Sequence, residues 1–238
     1  MQKVMGFMLA ASLGLAEATR ASEPTTVGDV VPAAGGGVAY TVERGWKEVG
    51  GGRVLFEHYR DRGGRVVASL EATYAGGRLA GVRYEQAQTG ESAAVEFKEG
   101  KAFYAANQGG KTKRSSENDS GVMVAYNAVP EHIAARWDEL QAGRAVKFDV
   151  PVPVMRQSFT FKVTKERTWS QGGRTLAEFK MESPNPIVRA LSEPSYYVID
   201  DCSKALVEYR GLTLATSGTP GDAKQLDAKV TYRPTAGR

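Results

Sequence analysis

The sequence predicts a mainly β protein: an antiparallel meander that forms a barrel or a strongly curved half-barrel, with one main helix at about 130–142 packed on its concave side. Three observations carry this expectation. Apolar and polar residues alternate strictly over many short stretches, as in Val66, Ala68, Leu70, Ala72 and Tyr74 against Val67, Ser69, Glu71 and Thr73, and a period of two marks a half-buried strand. Short glycine-containing turns separate these stretches, the triplet Gly-Gly-Arg starting at Gly51, Gly63, Gly76 and Gly172, which is the punctuation of hairpins. Residues 130–143 alone give a full set of helix signals, and apolar strand faces follow directly, so helix and sheet should bury one another.

The elements follow in chain order. Residues 1–18 hold an early Lys3, the apolar run VMGFMLAASLGLA and small residues at two possible exits, the pattern of a secretory signal peptide. That run is shorter than the ~20 apolar residues of a membrane span. Residues 19–37 are rich in Pro, Gly and Ala and read as a flexible lead-in, leaving 38–238 as a single β-rich domain. Val54, Phe56 and His58 share one strand face, opposite Leu55, Glu57 and Tyr59; this phase turns His58 inward. Ala80, Val82 and Tyr84, then Ala93, Val95 and Phe97, then the run KAFYAAN continue the series.

Pro130 suits a first helical turn, where its missing N–H is no loss, and Glu131 favours the positive end of the helix dipole. Ile133, Trp137 and Leu140 form one apolar stripe, and Gly143 ends the helix in a left-handed conformation. His132 lies off the stripe and reads as solvated. The period then changes to two: Val146, Phe148 and Val150, a Pro151–Pro153 corner that cannot join a ladder, then Phe159, Phe161 and Val163. Ala177, Phe179 and Met181 follow Gly172-Gly173; a second helix is expected at 186–191. Ala205, Val207 and Tyr209, then Leu226, Ala228, Val230 and Tyr232 close the chain. Roughly a dozen strands at short spacing indicate a barrel or curved sheet.

Composition narrows function. A net charge of +4 spread along the chain is too weak to imply nucleic acid. The one basic cluster, Lys111, Lys113 and Arg114, reads first as solvated and second as a phosphate or lipid-headgroup contact. The single Cys202 cannot form an intramolecular disulfide, and beside Asp200 and Asp201 its thiol is expected to be structural rather than reactive. Two separated histidines show no metal-ligand spacing, and no G-x-S-x-G turn is present. The reading leans away from an enzyme and names no catalytic residue, metal or cofactor.

Many inward positions are alanine: Ala68, Ala72, Ala80, Ala93, Ala177, Ala205 and Ala228. Small residues leave space, and interiors do not tolerate voids. The Trp137 helix fills it, alone or together with an apolar ligand.

The helix signature Pro130, Ile133, Trp137, Leu140, Gly143 and the late strand Glu208, Tyr209, Arg210, Gly211, behind a signal peptide and a long meander, resemble uncharacterised exported β-rich proteins of bacteria. At the level of fold the resemblance implies lipocalin-type barrels or the unclosed barrels of lipoprotein carriers. It implies no catalytic residue. Two functions are expected from these readings. One is a soluble periplasmic or secreted protein that binds or carries an apolar small molecule or lipid, with Trp137, Phe148, Phe159, Phe161 and His58 as candidate ligand-binding residues. The other is an envelope scaffold that meets a protein partner through its surface, at a strand edge near Pro151–Pro153. The mature chain carries no expected transmembrane segment.

Overall fold

Among the described residues five hairpins turn on two residues that both take positive φ: Gly50–Gly51, Gly76–Gly77, Glu99–Gly100, Gly109–Gly110 and Gly172–Gly173. Two such residues make the mirror-image turn whose twist matches that of paired strands, and each turn thereby fixes the register of its hairpin. The computed structural model describes residues 26–119, 121–186, 189, 193–218 and 222–235. The expected signal peptide at 1–18 lies outside the described residues, as does most of the helix expected at 186–191.

The first half of the chain runs β1 (Thr26–Pro32), β2 (Tyr40–Val49), β3 (Gly52–Arg60), β4 (Val66–Ala75), β5 (Arg78–Gln86), β6 (Glu91–Lys98), β7 (Lys101–Gln108) and β8 (Lys111–Asn118). A short 3-10 turn, Tyr126–Ala128, leads into α1 (Val129–Ala135) and α2 (Trp137–Gln141). Then come β9 (Val146–Val152), β10 (Gln157–Gln171), β11 (Arg174–Glu182), β12 (Ser195–Asp200), β13 (Leu206–Ser217) and β14 (Lys224–Pro234). All fourteen strands form one antiparallel sheet, in the order β8-β7-β6-β5-β4-β3-β2-β1-β14-β13-β12-β11-β10-β9. The two halves of the meander join where β1 pairs with β14, and the helical segment spans from one free edge to the other.

That seam corrects the lead-in expected at 19–37. Residues 26–32 are β1, hydrogen-bonded to β2 on one side and β14 on the other. Gly28 is there because the two neighbouring strands leave no room: a Cβ would stand 2.7 Å from Val230 Cγ1 and 2.8 Å from Val42 Cγ1. Composition suggested a tether, but the glycine serves packing and Val30 is fully buried.

The ladder does not close. Residues 122–124 run parallel to β9 and cap its edge, with Val124 N donating to Asp149 O at 2.9 Å and Asp149 N to Val122 O at 3.0 Å. At the β8 edge side chains bridge the gap: Ser115 Oγ donates to the Arg156 carbonyl at 2.5 Å, and Ser158 N donates to Glu117 Oε1 at 2.9 Å. The Pro corner is folded inward, with Pro151 and Pro153 buried. At the strand edge expected there as a partner surface, the two prolines are thus buried while Met155 beyond them is exposed.

The helix is in two pieces. Arg136 sits between them at φ −111°, ψ 23°, its N–H shared by the carbonyls of His132 and Ile133. The break leaves the expected stripe intact, since Ile133, Trp137 and Leu140 are all buried in the core. His132, expected to be solvated, packs edge-on against Phe148 with ring centroids 4.7 Å apart, and burial lowers its pKa. Gly143 ends the segment at φ +77° as expected.

Three further positions differ from expectation. His58 faces outward, because Leu55, Glu57 and Tyr59 take the inner face of β3 opposite Trp46, Arg44 and Val42. Ala205 is exposed in the β12–β13 turn, where a register shift after Val198 brings Leu206 against the core instead. Cys202 is exposed in the same turn. The inward alanines Ala68, Ala72, Ala93, Ala177 and Ala228 are buried at 5% exposure or less.

On the outer face His58 Nε2 lies 3.4 Å from Glu71 Oε1, which also takes Lys47 Nζ at 2.7 Å. The hydrogen bond from His58 and then Lys47 lower the Glu71 pKa from 4.5 to about 2. A depressed carboxylate stabilises the fold above its unfolded pKa and loses that contribution as pH falls through its folded pKa. Stability from Glu71 is therefore expected in full above pH 4.5 and to drain away between 4.5 and about 2. Replacing Glu71 by Gln should flatten that part of a urea-midpoint-against-pH curve; an unchanged slope would contradict the assignment.

Candidate functional site

The interior is divided along the barrel axis by a polar seam. Arg44 on β2 and Glu57 on β3 are directly opposed across their hairpin. Both are buried, and the Arg44 Nε to Glu57 Oε2 distance is 4.0 Å. Arg44 Nη2 also donates to the Asn127 carbonyl at 2.8 Å and to the carboxylate of Glu131, so one guanidinium pins the start of the helical segment. Asn127 Nδ2 donates to the carbonyls of Leu55 and Leu70 at 3.1 and 3.3 Å. Burial works to lower the Arg44 pKa, and the carboxylates of Glu131 and Glu57 outweigh it and raise it. Burial raises the Glu57 pKa, against the opposing pull of Arg44 and the hydrogen bond from the Tyr59 hydroxyl at 2.7 Å.

Above this seam stands a cluster of hydroxyls. Tyr126 and Tyr209 are 2.6 Å apart at their oxygens, Ser195 Oγ is 3.2 Å from Tyr209, and Tyr209 donates to the Leu212 carbonyl at 2.7 Å. Burial raises the pKa of Tyr126 and carries that of Tyr209 well above 10, so both stay protonated hydrogen-bond partners. Gly211 makes the cluster possible. Its φ is +143°, and a Cβ would meet Ser195 Oγ at 2.8 Å and the Tyr209 hydroxyl at 2.9 Å. Gly211→Ala is expected to cost about 1–3 kcal/mol from overpacking, read as a lower urea midpoint; an unchanged midpoint would show that the cluster yields freely.

Next to the hydroxyls lies a cavity of about 400 Å³. Leu70, Val82 and Tyr84 form one wall, Val150 to Met155 another, and Phe159, Phe161, Met181 and Leu212–Leu214 complete it. The last wall exists because β13 carries a wide irregularity. Between the pairs Leu212–Asp227 and Thr216–Gln225 its chain has two residues more than β14. The surplus bends β13 toward β4 and β5, where Gln86 Nε2 donates to the Leu214 carbonyl at 2.7 Å. A second recess of about 430 Å³, more polar, opens at the opposite end between Trp46, Tyr74, Asp119, Glu131 and His132.

The five candidate ligand-binding residues separate. Phe159 and Phe161 line the apolar cavity. Phe148 is paired with Phe161 across β9 and β10 but is packed into the core beside His132. Trp137 is buried at the far side of the seam, edge-on to Phe179 at 5.1 Å with Lys204 Nζ 3.8 Å above its ring. His58 is on the outer face beside Phe56 and Glu71. The sequence reading missed Arg44, Glu57, Asn127 and Tyr126. Arg44 and Glu57 carried a signal, an opposite pair in phase with apolar faces of two adjacent strands; Asn127 and Tyr126 carried none.

Among the described residues no group of three or more His, Cys, Asp or Glu is placed to hold a metal ion, and no helix is long and apolar enough to cross a membrane. No protein-family model matches the chain, and no curated protein matches its sequence. Among solved structures the chain is similar to a β-barrel-like protein of a domain of unknown function from Brucella abortus. That likeness covers 91% of this chain and 100% of the other at 6% identity, with a TM-score of 0.43.

Proposed function

We propose that the protein is exported and that its apolar cavity holds a small apolar molecule or one lipid chain. The observation that carries this reading is the cavity itself: about 400 Å³ of contiguous space, inside the ~300–1,000 Å³ range of ligand sites. Its walls are mostly aliphatic and aromatic, with Glu182, Glu193 and Gln225 also in the lining, and the Tyr126, Tyr209 and Ser195 hydroxyls beside it are already hydrogen-bonded to one another. An apolar space of this kind is poor at holding water. The cavity opens to the surface, so an apolar occupant gains by taking its own surface and that of the walls out of water, at about 25 cal/mol per Å².

The export half of the proposal rests on residues 1–18, with their early Lys3, apolar run and small-residue exits. The periplasm or the exterior is the compartment it implies. Native mass spectrometry of protein purified from the envelope fraction tests both halves together. The expected spectrum is a chain shortened by about 18 residues, with an adduct that organic solvent extracts. A full-length chain in the cytoplasm contradicts export, and an adduct-free chain that also refuses apolar probes contradicts ligand binding.

A further inference from the structure

Among the described residues, four cations without an ion pair lie on or against the sheet edge that meets the Val150–Met155 wall of the cavity. Lys111, Lys113 and Arg114 are exposed on the first half of β8, the open edge of the sheet. The β9–β10 corner packs against that edge through the bond from Ser115 to the Arg156 carbonyl, which brings Arg156 to the Arg114 end of that run. Ion pairs are common elsewhere, as in Lys47–Glu71 at 2.7 Å and Lys162–Glu182 at 2.9 Å. Lys111, Lys113, Arg114 and Arg156 enter none among the described residues. Met155, adjacent to Arg156, is 54% exposed and also lines the cavity.

Lysines on an open edge deter strand addition, but that role does not account for where these lie. The charge on β8 is polarised. Its cations occupy the half beside the Gly109–Gly110 turn, and Glu117 in the other half is engaged by Tyr104 and by Ser158 N. An exposed apolar side chain belonging to an apolar cavity, bordered by unneutralised cations, matches an anionic bilayer in both its headgroup charge and its hydrocarbon.

We propose that the rim formed by Met155, Arg156 and the Lys111–Arg114 half of β8 docks the protein on an anionic lipid surface. Docked in this way, an apolar occupant passes between bilayer and cavity without crossing open water. The proposal rests on the reading of the cavity as a lipid or apolar-molecule site.

The test is co-sedimentation of the full mature chain with vesicles of phosphatidylcholine alone and of phosphatidylcholine with phosphatidylglycerol, at low and at physiological salt. The same preparations are titrated with the neutral fluorescent probe N-phenylnaphthylamine to report on the cavity. The expected result is binding to the anionic vesicles only, weakened by salt. A basic residue near such a surface contributes about fivefold to partitioning, so Lys111→Glu/Lys113→Glu/Arg114→Glu should lower it by at least roughly 100-fold with probe binding unchanged. Met155→Glu should also weaken vesicle binding. Equal binding to both vesicle types, no binding to either, or a triple variant that still binds would overturn the proposal. So would a triple variant that keeps vesicle binding but loses the probe, since its cations would then serve the occupant. Vesicle binding by a wild-type chain that ignores the probe supports the docking surface and sinks the cavity reading alone.

Discussion

Trp137→Ala is expected to destabilise the fold by about 3–5 kcal/mol, the usual cost of emptying a large aromatic site in a core. Trp137 is 8% exposed, meets Phe179 edge-on at 5.1 Å and lies under the Lys204 ammonium at 3.8 Å. The helical segment is short, α1 and α2 having seven and five residues, and helices of this length are not stable by themselves. Their order comes from what they bury, and Trp137 is the largest side chain on the buried stripe. Urea unfolding of Trp137→Ala checks the figure, and Lys204→Met separates the cation–π part, expected at about 0.5–2 kcal/mol. A loss below about 1 kcal/mol for the alanine variant, an ordinary surface effect, would mean that the helix does not hold the barrel open.

Arg44→Met should cost a similar amount, about 3–5 kcal/mol, because it strands a buried charge rather than removing one favourable contact. Arg44 faces Glu57 across the β2–β3 hairpin and binds Glu131 and the Asn127 carbonyl. Without it, burial acts on Glu57 unopposed by its largest counter-charge. The sign of the pH dependence follows. A carboxyl whose folded pKa is raised leaves stability unaffected below its unfolded pKa of 4.5. It costs stability as pH climbs from there through the folded value, because the unfolded chain releases its proton first. The Arg44→Met variant should therefore lie closest to the wild type at acid pH and fall furthest behind near neutrality. Adding Glu57→Gln should remove most of that slope. A variant equally weak at pH 4 and pH 7 would show that the Arg44 loss is packing and not charge.

The meander was legible because the turns are strong local signals. Paired positive-φ residues at Gly76–Gly77 and Gly172–Gly173 set hairpin register without help from the rest of the molecule. The Arg44–Glu57 pair was within reach of the same reasoning, since each lies five residues from the Val49–Gly52 pair that closes the turn. His58 was placed inward because Val54 and Phe56 are apolar, yet β3 is buried on both faces. There, alternation carries no direction and a charged residue takes the inner side. The seam at β1 was hidden for the opposite reason: Gly28 and Pro32 look like linker residues until two strands close around them.

The cavity was legible only in part. Phe159 and Phe161 follow from the alternation of β10; the inward alanines Ala68, Ala72, Ala93, Ala177 and Ala228 are buried, but none of them lines the cavity. What shapes the walls of the apolar cavity is non-local. The break at Arg136 lets Trp137 turn toward Phe179, and the surplus residues of β13 bend its chain over β4 and β5. Neither has a local sequence signature, and Trp137 and Phe148, candidate ligand-binding residues by sequence, are packed in the core and do not line the apolar cavity.

The central claim is that a curled meander, held around the tryptophan-bearing segment, keeps an apolar space ready for one occupant. A titration of delipidated, folded protein with N-phenylnaphthylamine addresses it most directly. The account predicts a single saturable rise in emission, suppressed in Val82→Phe, which places a ring in the cavity while leaving the rest of the β5 face unchanged. No saturable rise, or one that Val82→Phe leaves intact, would contradict it.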